Sequence, residues 1–255
     1  MSSHETVGKT IKVALALCVV CSLVVSTAAV MLKPAQLANK ELDRQRNILA
    51  AAGLLQVDVS VDEQFKQITT KLVDLRTGKF TDEVDVTAYD QAAAADDKNL
   101  SVDLGDADIA KVGRRENLSL VYLVEKDGQI DKVILPIRGA GLWSTLYGFL
   151  ALEGDANTVA GLGFYQHGET PGLGGEVDNP RWKSQWQGKQ VYKSGEAALG
   201  LIKGTVNPKG ADAAYQVDGL AGATLTSVGV TNLVKFWLGE NGFQAFLNNL
   251  RVGEA

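Results

Sequence analysis

A run of twenty residues without a formal charge, Val13 to Leu32, is the feature that most constrains how this chain can fold. At a rise of about 1.5 Å per residue, a helix of this length covers about 30 Å, the thickness of the hydrocarbon core of a bilayer. The run therefore predicts one transmembrane helix over 13–32, preceded by a tail of residues 1–12. A cleaved signal sequence is the alternative, with Ser26–Ala28 as a weak cleavage site, although the apolar part of such signals usually spans about 7–15 residues.

The charges on either side of the run leave its orientation open. Lys9 and Lys12 precede the run, and a larger group of cations follows it: Lys33, Lys40, Arg44 and Arg46. Read literally, the positive-inside rule favours a cytoplasmic C-terminal part. Acidic residues alternate with the second group of cations, so the charge count is a weak guide to topology.

The rest of the composition excludes several kinds of function. A formal net charge of −5 argues against nucleic acid as a partner, because phosphate binding requires clustered cations. Both cysteines, Cys18 and Cys21, lie inside the apolar run, so the polar part can hold neither a disulfide framework nor a Cys-ligated zinc ion. With only His4 and His167 in the chain, and no glycine pattern typical of nucleotide phosphates, we expect no metal site, no catalytic triad and no nicotinamide site.

Beyond the apolar run, the patterns predict an α+β domain with an antiparallel sheet and flanking helices. Residues 33–60 contain good helix formers up to Gly53 and are assigned to a linker helix, and residues 61–255 are assigned to the domain. Ser60–Glu63 match a capping box that opens a predicted helix ending at Gly78. Residues 81–114 are acidic and poorly periodic, which indicates a surface excursion.

The second half of the chain has clearer patterns. Asp127-Gly128 is a strong hairpin signal between two β-type runs. Strands are predicted over 118–124, 130–137, 145–152 and 158–166, whereas 191–192 and 199–206 are ambiguous. Apolar residues at helical spacing predict two terminal helices, over 227–238 and 243–250.

Small and hydroxyl-bearing residues dominate the segment Asp218–Ser227, which leads into the first of these helices. Glycine lets a backbone approach a ligand closely, and the free N–H groups of a helix N-terminus favour phosphate. An ordinary helix start, capped by Thr226 or Ser227, also explains the pattern. The residues alone leave both interpretations open.

The stretch from Asp218 to Thr224 resembles the flavinylation motif of the FMN-binding domain family, Asp-Gly-x-[Ser/Thr]-Gly-Ala-Thr. In that family a flavin transferase moves FMN from FAD onto the last threonine of the motif. The resemblance implies covalent FMN on Thr224 through a phosphoester. It also implies that Asp218 orients the loop or assists the metal of the transferase, and that Gly222 and Ala223 fit around the ribityl phosphate.

This stretch departs from the family motif at one position, Ala221, where the family has Ser or Thr. A transferase that reads the missing hydroxyl would modify an Ala221→Ser variant more completely. Thr226 is the alternative acceptor.

A second stretch, Gln166–Gly174, resembles the His-x-Glu-Thr-Pro-Gly-Leu-Gly loop of the same family. Pro-Gly favours a tight turn with positive φ at Gly172. The resemblance implies that Thr170, Gly172 and Leu173 line the flavin ring. An ordinary glycine-rich turn is the alternative.

A third familiar stretch runs from Leu135 to Trp143. There the resemblance implies that Trp143 stacks on the isoalloxazine, although an aromatic residue near a sheet is more often part of the core. Arg138 could pair with the phosphate, with a carboxylate, or in a surface ion pair. The three stretches keep the order of the family.

The FMN-binding domain family includes subunits of Na⁺-pumping NADH:quinone oxidoreductases and of Rnf-type ferredoxin:NAD oxidoreductase complexes. The resemblance implies an electron-carrying flavoprotein that belongs to a membrane complex of six subunits and is matured by a flavin transferase. It also implies a single-pass protein of the bacterial inner membrane with a periplasmic domain. The excursion over 81–114 favours the Na⁺-pumping type. The Rnf-type subunit and a non-redox assembly subunit remain alternatives.

Overall fold

The N-terminal part of the chain is one long apolar helix. The computed structural model describes residues 6–255, and the first five residues of the predicted tail, including His4, lie outside the described residues. Helix α1, Val7–Ala51, contains the predicted span and continues through Pro34. By length and composition it could cross a membrane, and the side chains of residues 13–32 are exposed. The expected N-terminal apolar helix is confirmed.

The structure divides into two compact units, the first ending at Asp43 and the second running from Arg44 to Ala255. The last turns of α1 belong to the second unit, because Ile48, Leu49 and Ala51 are buried there. The division into tail, span, linker and domain stays a prediction.

The second unit is built around a six-stranded antiparallel sheet with the strand order β2-β1-β5-β6-β7-β8. Three short two-stranded pairs accompany it: β3 with β4, β9 with β10, and the parallel pair β11 with β12. In chain order the strands are β1 Ile68–Asp74, β2 Lys79–Thr81, β3 Ser101–Asp103, β4 Arg114–Glu116, β5 Leu118–Lys126, β6 Gln129–Ala140, β7 Thr145–Glu153, β8 Val159–Gln166, β9 Tyr192–Lys193, β10 Glu196–Ala197, β11 Gly200–Leu201 and β12 Gln216–Val217.

Helices flank this sheet, as the sequence predicts for an α+β domain. After α1 they are α2 Val61–Phe65, α3 Gln91–Asp96, α4 Pro180–Lys183, α5 Thr224–Leu238 and α6 Gln244–Val252. Short 3₁₀ turns cover Gly105–Ala107, Gly174–Asp178, Ser184–Trp186 and Ala213–Tyr215.

Each face of the sheet carries its own hydrophobic core, because successive side chains of a strand point to opposite sides. On β6, Leu135 and Ile137 join the core that includes α5 and α6. Ile134, which precedes them, joins the second core together with Ile48 and Leu49 of α1. Helix α5 and the last turns of α1 therefore lie on opposite faces of the sheet.

The predicted hairpin is confirmed. Asp127 and Gly128 have φ values of 53° and 77° and connect β5 to β6, whose last pair is Lys126 with Gln129. Two consecutive positive φ angles define the turn whose twist matches a two-residue hairpin. The strands predicted over 145–152 and 158–166 and both terminal helices are also present, and the ambiguous runs contain only the short strands β9 and β11.

The helix predicted from the capping box to Gly78 is wrong beyond its first turn. The side chain of Ser60 does cap α2, accepting a hydrogen bond from the N–H of Glu63 at 3.4 Å. From Ile68, however, the chain forms β1, which pairs with β5 over seven residues. Ile68 and Leu72 satisfy the period of a strand as well as that of a helix. The β-branched Ile-Thr-Thr sequence and the available partner strand favour the strand.

The segment 81–114 is not a pure surface excursion. Ala94 and Ala110 are buried. The side chain of Gln91 accepts from the N–H of Leu120 at 3.0 Å and donates to the buried carboxylate of Glu116 at 2.5 Å. Part of this segment therefore packs against β5, through polar contacts that hydrophobic periodicity does not show.

Replacing Gly229 by alanine should destabilise the protein, because an added Cβ would lie 2.3 Å from the carbonyl oxygen of Ala140. We expect the free energy of unfolding of the full chain in detergent, measured with urea, to fall by about 1–3 kcal/mol. Gly163→Ala is the matched control, since nothing lies within 4 Å of its added Cβ. Equal stability of the two variants would contradict the close approach of α5 to β6.

Candidate functional site

Three loops meet at the start of α5. They are the β6–β7 loop (residues 141–144), the loop that follows β8 (residues 167–173), and the loop before α5 (residues 219–223), here called the acceptor loop. Side-chain contacts hold them together: Glu169 of the second loop bonds to the first loop and to α5, and Leu173 lies against Gly222 of the third. The three stretches that resemble one family are thus brought into one site.

The carboxylate of Glu169 is the centre of this junction. Its Oε1 accepts hydrogen bonds from the N–H groups of Leu142 at 3.0 Å and Trp143 at 2.9 Å. Its Oε2 accepts from the hydroxyl of Thr226 at 2.5 Å. The residue is only 5% exposed. One side chain therefore ties the β6–β7 loop to the first turn of α5.

Two glycines make room for this carboxylate. A Cβ added to Gly141 would lie 2.5 Å from Oε1 of Glu169, and one added to Gly174 would lie 2.6 Å from Oε2. Any side chain at either position would displace the carboxylate or the backbone. The glycines of these loops thus serve the packing of Glu169 as well as turn formation.

The Glu169 carboxyl is stabilised in its charged form. Burial raises its pKa, but hydrogen bonds from the Thr226 hydroxyl and from the N–H groups of Trp143, Leu142 and Ser144 lower it, and the net pKa lies below the ordinary value. Among residues 6–255, no cationic side chain forms an ion pair with Glu169. The charge is therefore held by neutral donors only.

The two candidate threonines have different environments. Thr224 is exposed and is the first residue of α5. Thr226 is 0% exposed, and its hydroxyl is committed to Glu169. A reagent in solution therefore has access to the hydroxyl of Thr224 and not to that of Thr226.

The predicted capping of this helix by Thr226 or Ser227 is wrong. Helix α5 begins three residues earlier than predicted, after Ala223, which offers no side-chain cap. The hydroxyl of Ser227 donates back to the carbonyl of Ala223 at 3.0 Å and accepts from the N–H of Leu220 at 2.9 Å. The first N–H groups of a helix lack intrahelical acceptors, so this uncapped start offers free donors beside Thr224.

Asp218 fixes the entry to the acceptor loop. Its carboxylate accepts from the N–H of Val206 at 2.7 Å, and its carbonyl accepts from the indole N–H of Trp182 at 2.9 Å. Its own N–H donates to the side chain of Gln185 at 3.2 Å. These contacts fit the orienting role for Asp218.

The turn predicted at Pro171-Gly172 is confirmed. Gly172 has a φ of 76°, and the N–H of Leu173 donates to the carbonyl of Thr170 at 3.1 Å. Gly222 also has a positive φ, 72°, and a Cβ added there would lie 2.9 Å from Cδ2 of Leu173. Leu173, although 44% exposed, is held directly over the acceptor loop.

Large apolar side chains remain exposed on the β6–β7 loop and on the first two turns of α5. Trp143 is 70% exposed, so the interpretation of it as a core aromatic is wrong. Leu142, Leu225 and Val228 are exposed as well, and sequence reasoning did not single them out. For Leu225 and Val228 the signal was their spacing of three residues, which places both on one side of a helix.

Arg138 does not reach the site. Its guanidinium binds the carboxylate of Glu116 through two bonds, at 3.0 and 2.6 Å, and Glu116 is fully buried. Burial lowers the pKa of Arg138, but its bonds to Glu116 more than compensate and raise it overall. Of the three alternatives for Arg138, the structure confirms pairing with a carboxylate. The ion pair lies in the interior and not on the surface.

Sequence reasoning also missed a second set of contacts between the loops. The N–H of Gly168 donates to the hydroxyl of Ser144 at 2.6 Å. The N–H of Glu169 donates to Nδ1 of His167 at 3.2 Å, while Nε2 of His167 binds Asp178 at 2.7 Å. An open cleft of about 390 Å³ adjoins these contacts, lined by Ser144, Thr145, Tyr147, Gln166, His167 and Gly168.

Residues 141–239 match the family model of the FMN-binding domain, and this range contains all three loops and α5. The fold and the site thus define a protein with an FMN-binding domain behind an N-terminal apolar helix. Relatives that align over nearly the whole chain identify the family within this class of protein. The chain belongs to the NqrC family, one of the subunit families of the Na⁺-translocating NADH-quinone reductase.

The relatives cover nearly the full chain. The corresponding reductase subunit of Pseudomonas aeruginosa is 58% identical and aligns over 100% of both chains, and that of Yersinia pestis is 48% identical over 98% of this chain and 96% of its own. The crystal structure of NqrC from Shewanella oneidensis superposes with a TM-score of 0.77 at 38% identity, covering 84% of this chain and 99% of its own. The crystal structure of the corresponding reductase subunit from Parabacteroides distasonis superposes with a TM-score of 0.65 at 31% identity, covering 85% of this chain and 96% of its own. These relatives favour the Na⁺-pumping type over the Rnf type.

Glu169→Gln should lower the free energy of unfolding by about 1–2 kcal/mol at pH 7, because hydrogen bonds to a carboxylate are stronger than those to an amide. Since folding depresses the pKa of Glu169, this extra stability is complete above the unfolded value of about 4.3 and is lost as the pH falls through the lower folded value. Urea unfolding of both full-length proteins across this range measures the difference. A difference that does not narrow on acidification would argue against an ionised Glu169.

Proposed function

We propose that this chain carries FMN on Thr224 through a phosphoester and transfers electrons within a Na⁺-translocating NADH:quinone oxidoreductase. The observation that carries the proposal is the exposed Thr224 at the uncapped start of α5, which Glu169 ties to the loop of the exposed Trp143. The similarity of this chain, over its whole length, to the reductase subunit of P. aeruginosa supports the same role.

The start of α5 suits a phosphate ester. The free N–H groups and the positive end of the helix dipole favour negative charge within the first turn. Gly222, at a φ of 72°, and Ala223 lead into Thr224 without a bulky side chain. Asp218 keeps the acceptor loop in place through its bonds to neighbouring segments. The residues present therefore fit the phosphate end of FMN.

The apolar side chains near Thr224 suit a planar ring. Trp143 and Leu173 offer exposed surfaces, and the turn formed by Thr170 and Gly172 presents Leu173. Leu225 and Val228 extend this surface along α5. The flavin supplies the redox chemistry when bound, and the protein holds the ring at a defined place and shields one side of it from water.

The proposed setting is the bacterial inner membrane, crossed once by α1, with the domain in the periplasm and with the five other subunits of the membrane complex as partners. A flavin transferase would attach the FMN. Covalent attachment has a physical use outside the cytoplasm, where a dissociated flavin would be diluted and lost.

Thr224→Ala should abolish covalent flavin, because it removes the exposed hydroxyl. The full chain is co-produced with a flavin transferase, and the intact mass is measured. Wild type and Thr224→Ser should gain the mass of one FMN less one water, with in-gel fluorescence after denaturation, and Thr224→Ala should not. Thr205→Ala, which removes the hydroxyl of another exposed threonine outside the three loops, serves as the matched control and should retain the modification.

Full modification of Thr224→Ala would refute the assigned site. Wild-type protein without the added mass, taken from an intact complex, would favour the non-redox assembly subunit instead. Far-ultraviolet circular dichroism of each variant checks that it is folded.

A C-terminal fusion should report a periplasmic domain. An alkaline phosphatase fused after Ala255 should be active, and a green fluorescent protein at the same position, exported through the Sec route, should be dark. The reverse pattern would contradict the proposed orientation and agree with the literal charge count.

A further inference from the structure

We infer that Glu169 is a positioning residue for the flavin: its carboxylate holds the three loops together and places an unneutralised negative charge beside the residues that line the ring. This inference rests on the proposed function and extends it to the reduction potential. The charge makes the bound flavin harder to reduce than the same site without it.

The positional part follows from the hydrogen bonds. Glu169 receives the N–H of Trp143 itself and the hydroxyl of Thr226, two residues after the ester-bearing Thr224. Leu173 lies four residues further along the same loop as Glu169 and contacts Gly222. The carboxylate therefore sets where the ring-lining side chains stand relative to the point of attachment.

The electrostatic part follows from the absence of a neutralising cation within residues 6–255. Arg138 is engaged with Glu116. The ring of His167 accepts the N–H of Glu169 on one side and binds the carboxylate of Asp178 on the other. The partial positive charge at the start of α5 offsets only part of a full negative charge.

A nearby negative charge raises the energy of a ring that gains electrons. Coulomb interactions are stronger in a partly buried site than in water, and charge close to the ring is one of the levers by which proteins set flavin potentials. Glu169 is 5% exposed, so solvent screens its charge weakly on the protein side.

Glu169→Gln separates the charge from the shape. A glutamine oxygen can accept from the N–H groups of Leu142 and Trp143, and its amide can donate to the hydroxyl of Thr226, so the loops keep their connections. Glu169→Asp keeps the charge and shortens the side chain. Glu176→Gln is the matched control, because it makes the same chemical change seven residues further on, where the carboxylate binds the side chain of Asn179 and none of the three loops.

The experiment is a redox titration of the full-length flavinylated chain in detergent, followed by absorbance. Glu169→Gln should shift the midpoint potential to a more positive value, by more than Glu176→Gln does, with covalent flavin confirmed by intact mass. Glu169→Asp keeps the charge and should not shift the potential to a more positive value, although its Tm should fall. A fully loaded Glu169→Gln protein with the wild-type potential overturns the inference.

If Glu169→Gln does not bind flavin covalently, the potential of Glu169→Asp tests the role of the charge instead. A wild-type potential together with a lower Tm supports the role of the charge, and a potential that moves to more positive values as Tm falls overturns it. Wild-type protein without covalent flavin is a separate result, which refutes the proposed function and not this inference alone.

Discussion

The site depends on one buried carboxylate that, within residues 6–255, has no cationic partner. A charged group inside a protein is tolerated only if hydrogen bonds replace those it made with water. Glu169 obtains its donors from the β6–β7 loop and from α5, which lie 26 and 57 residues away along the chain. Displacing either segment would leave one oxygen of the carboxylate buried without its donor, which costs more than the loss of one ordinary contact. The β6–β7 loop, the loop after β8 and the first turn of α5 therefore stabilise one another.

The four long strands that follow residue 117 and the two terminal helices could be predicted because their signals are local. Asp127-Gly128 dictates a hairpin through backbone conformation, and the spacing of apolar residues identifies α5 and α6. The segment from Ile68 to Asp74 was misassigned because its pattern fits both periods, and only pairing with β5 decides between them. A partner strand some fifty residues away leaves no trace in local spacing.

The candidate site could also be predicted only in its local features. Family resemblance identified the stretches, and the turn at Gly172 followed from Pro-Gly chemistry. Which threonine is accessible could not follow from sequence, because the burial of Thr226 depends on Glu169 from a distant loop. For Arg138 the sequence left a phosphate and a carboxylate open as partners, because Glu116 lies 22 residues earlier, on β4, and only the sheet brings the two together.

Helix α5 and the last turns of α1 pack on opposite faces of the sheet, with Leu233 in one core and Ile48 in the other. A displacement that arrives through the end of α1 must pass through the hydrogen-bonded sheet before it reaches Thr224. Packed interiors resist such distortion because their compressibility is low. The sheet thus insulates the start of α5 mechanically from the last turns of α1, so Trp143, Leu173 and Thr224 keep their spacing when those turns shift.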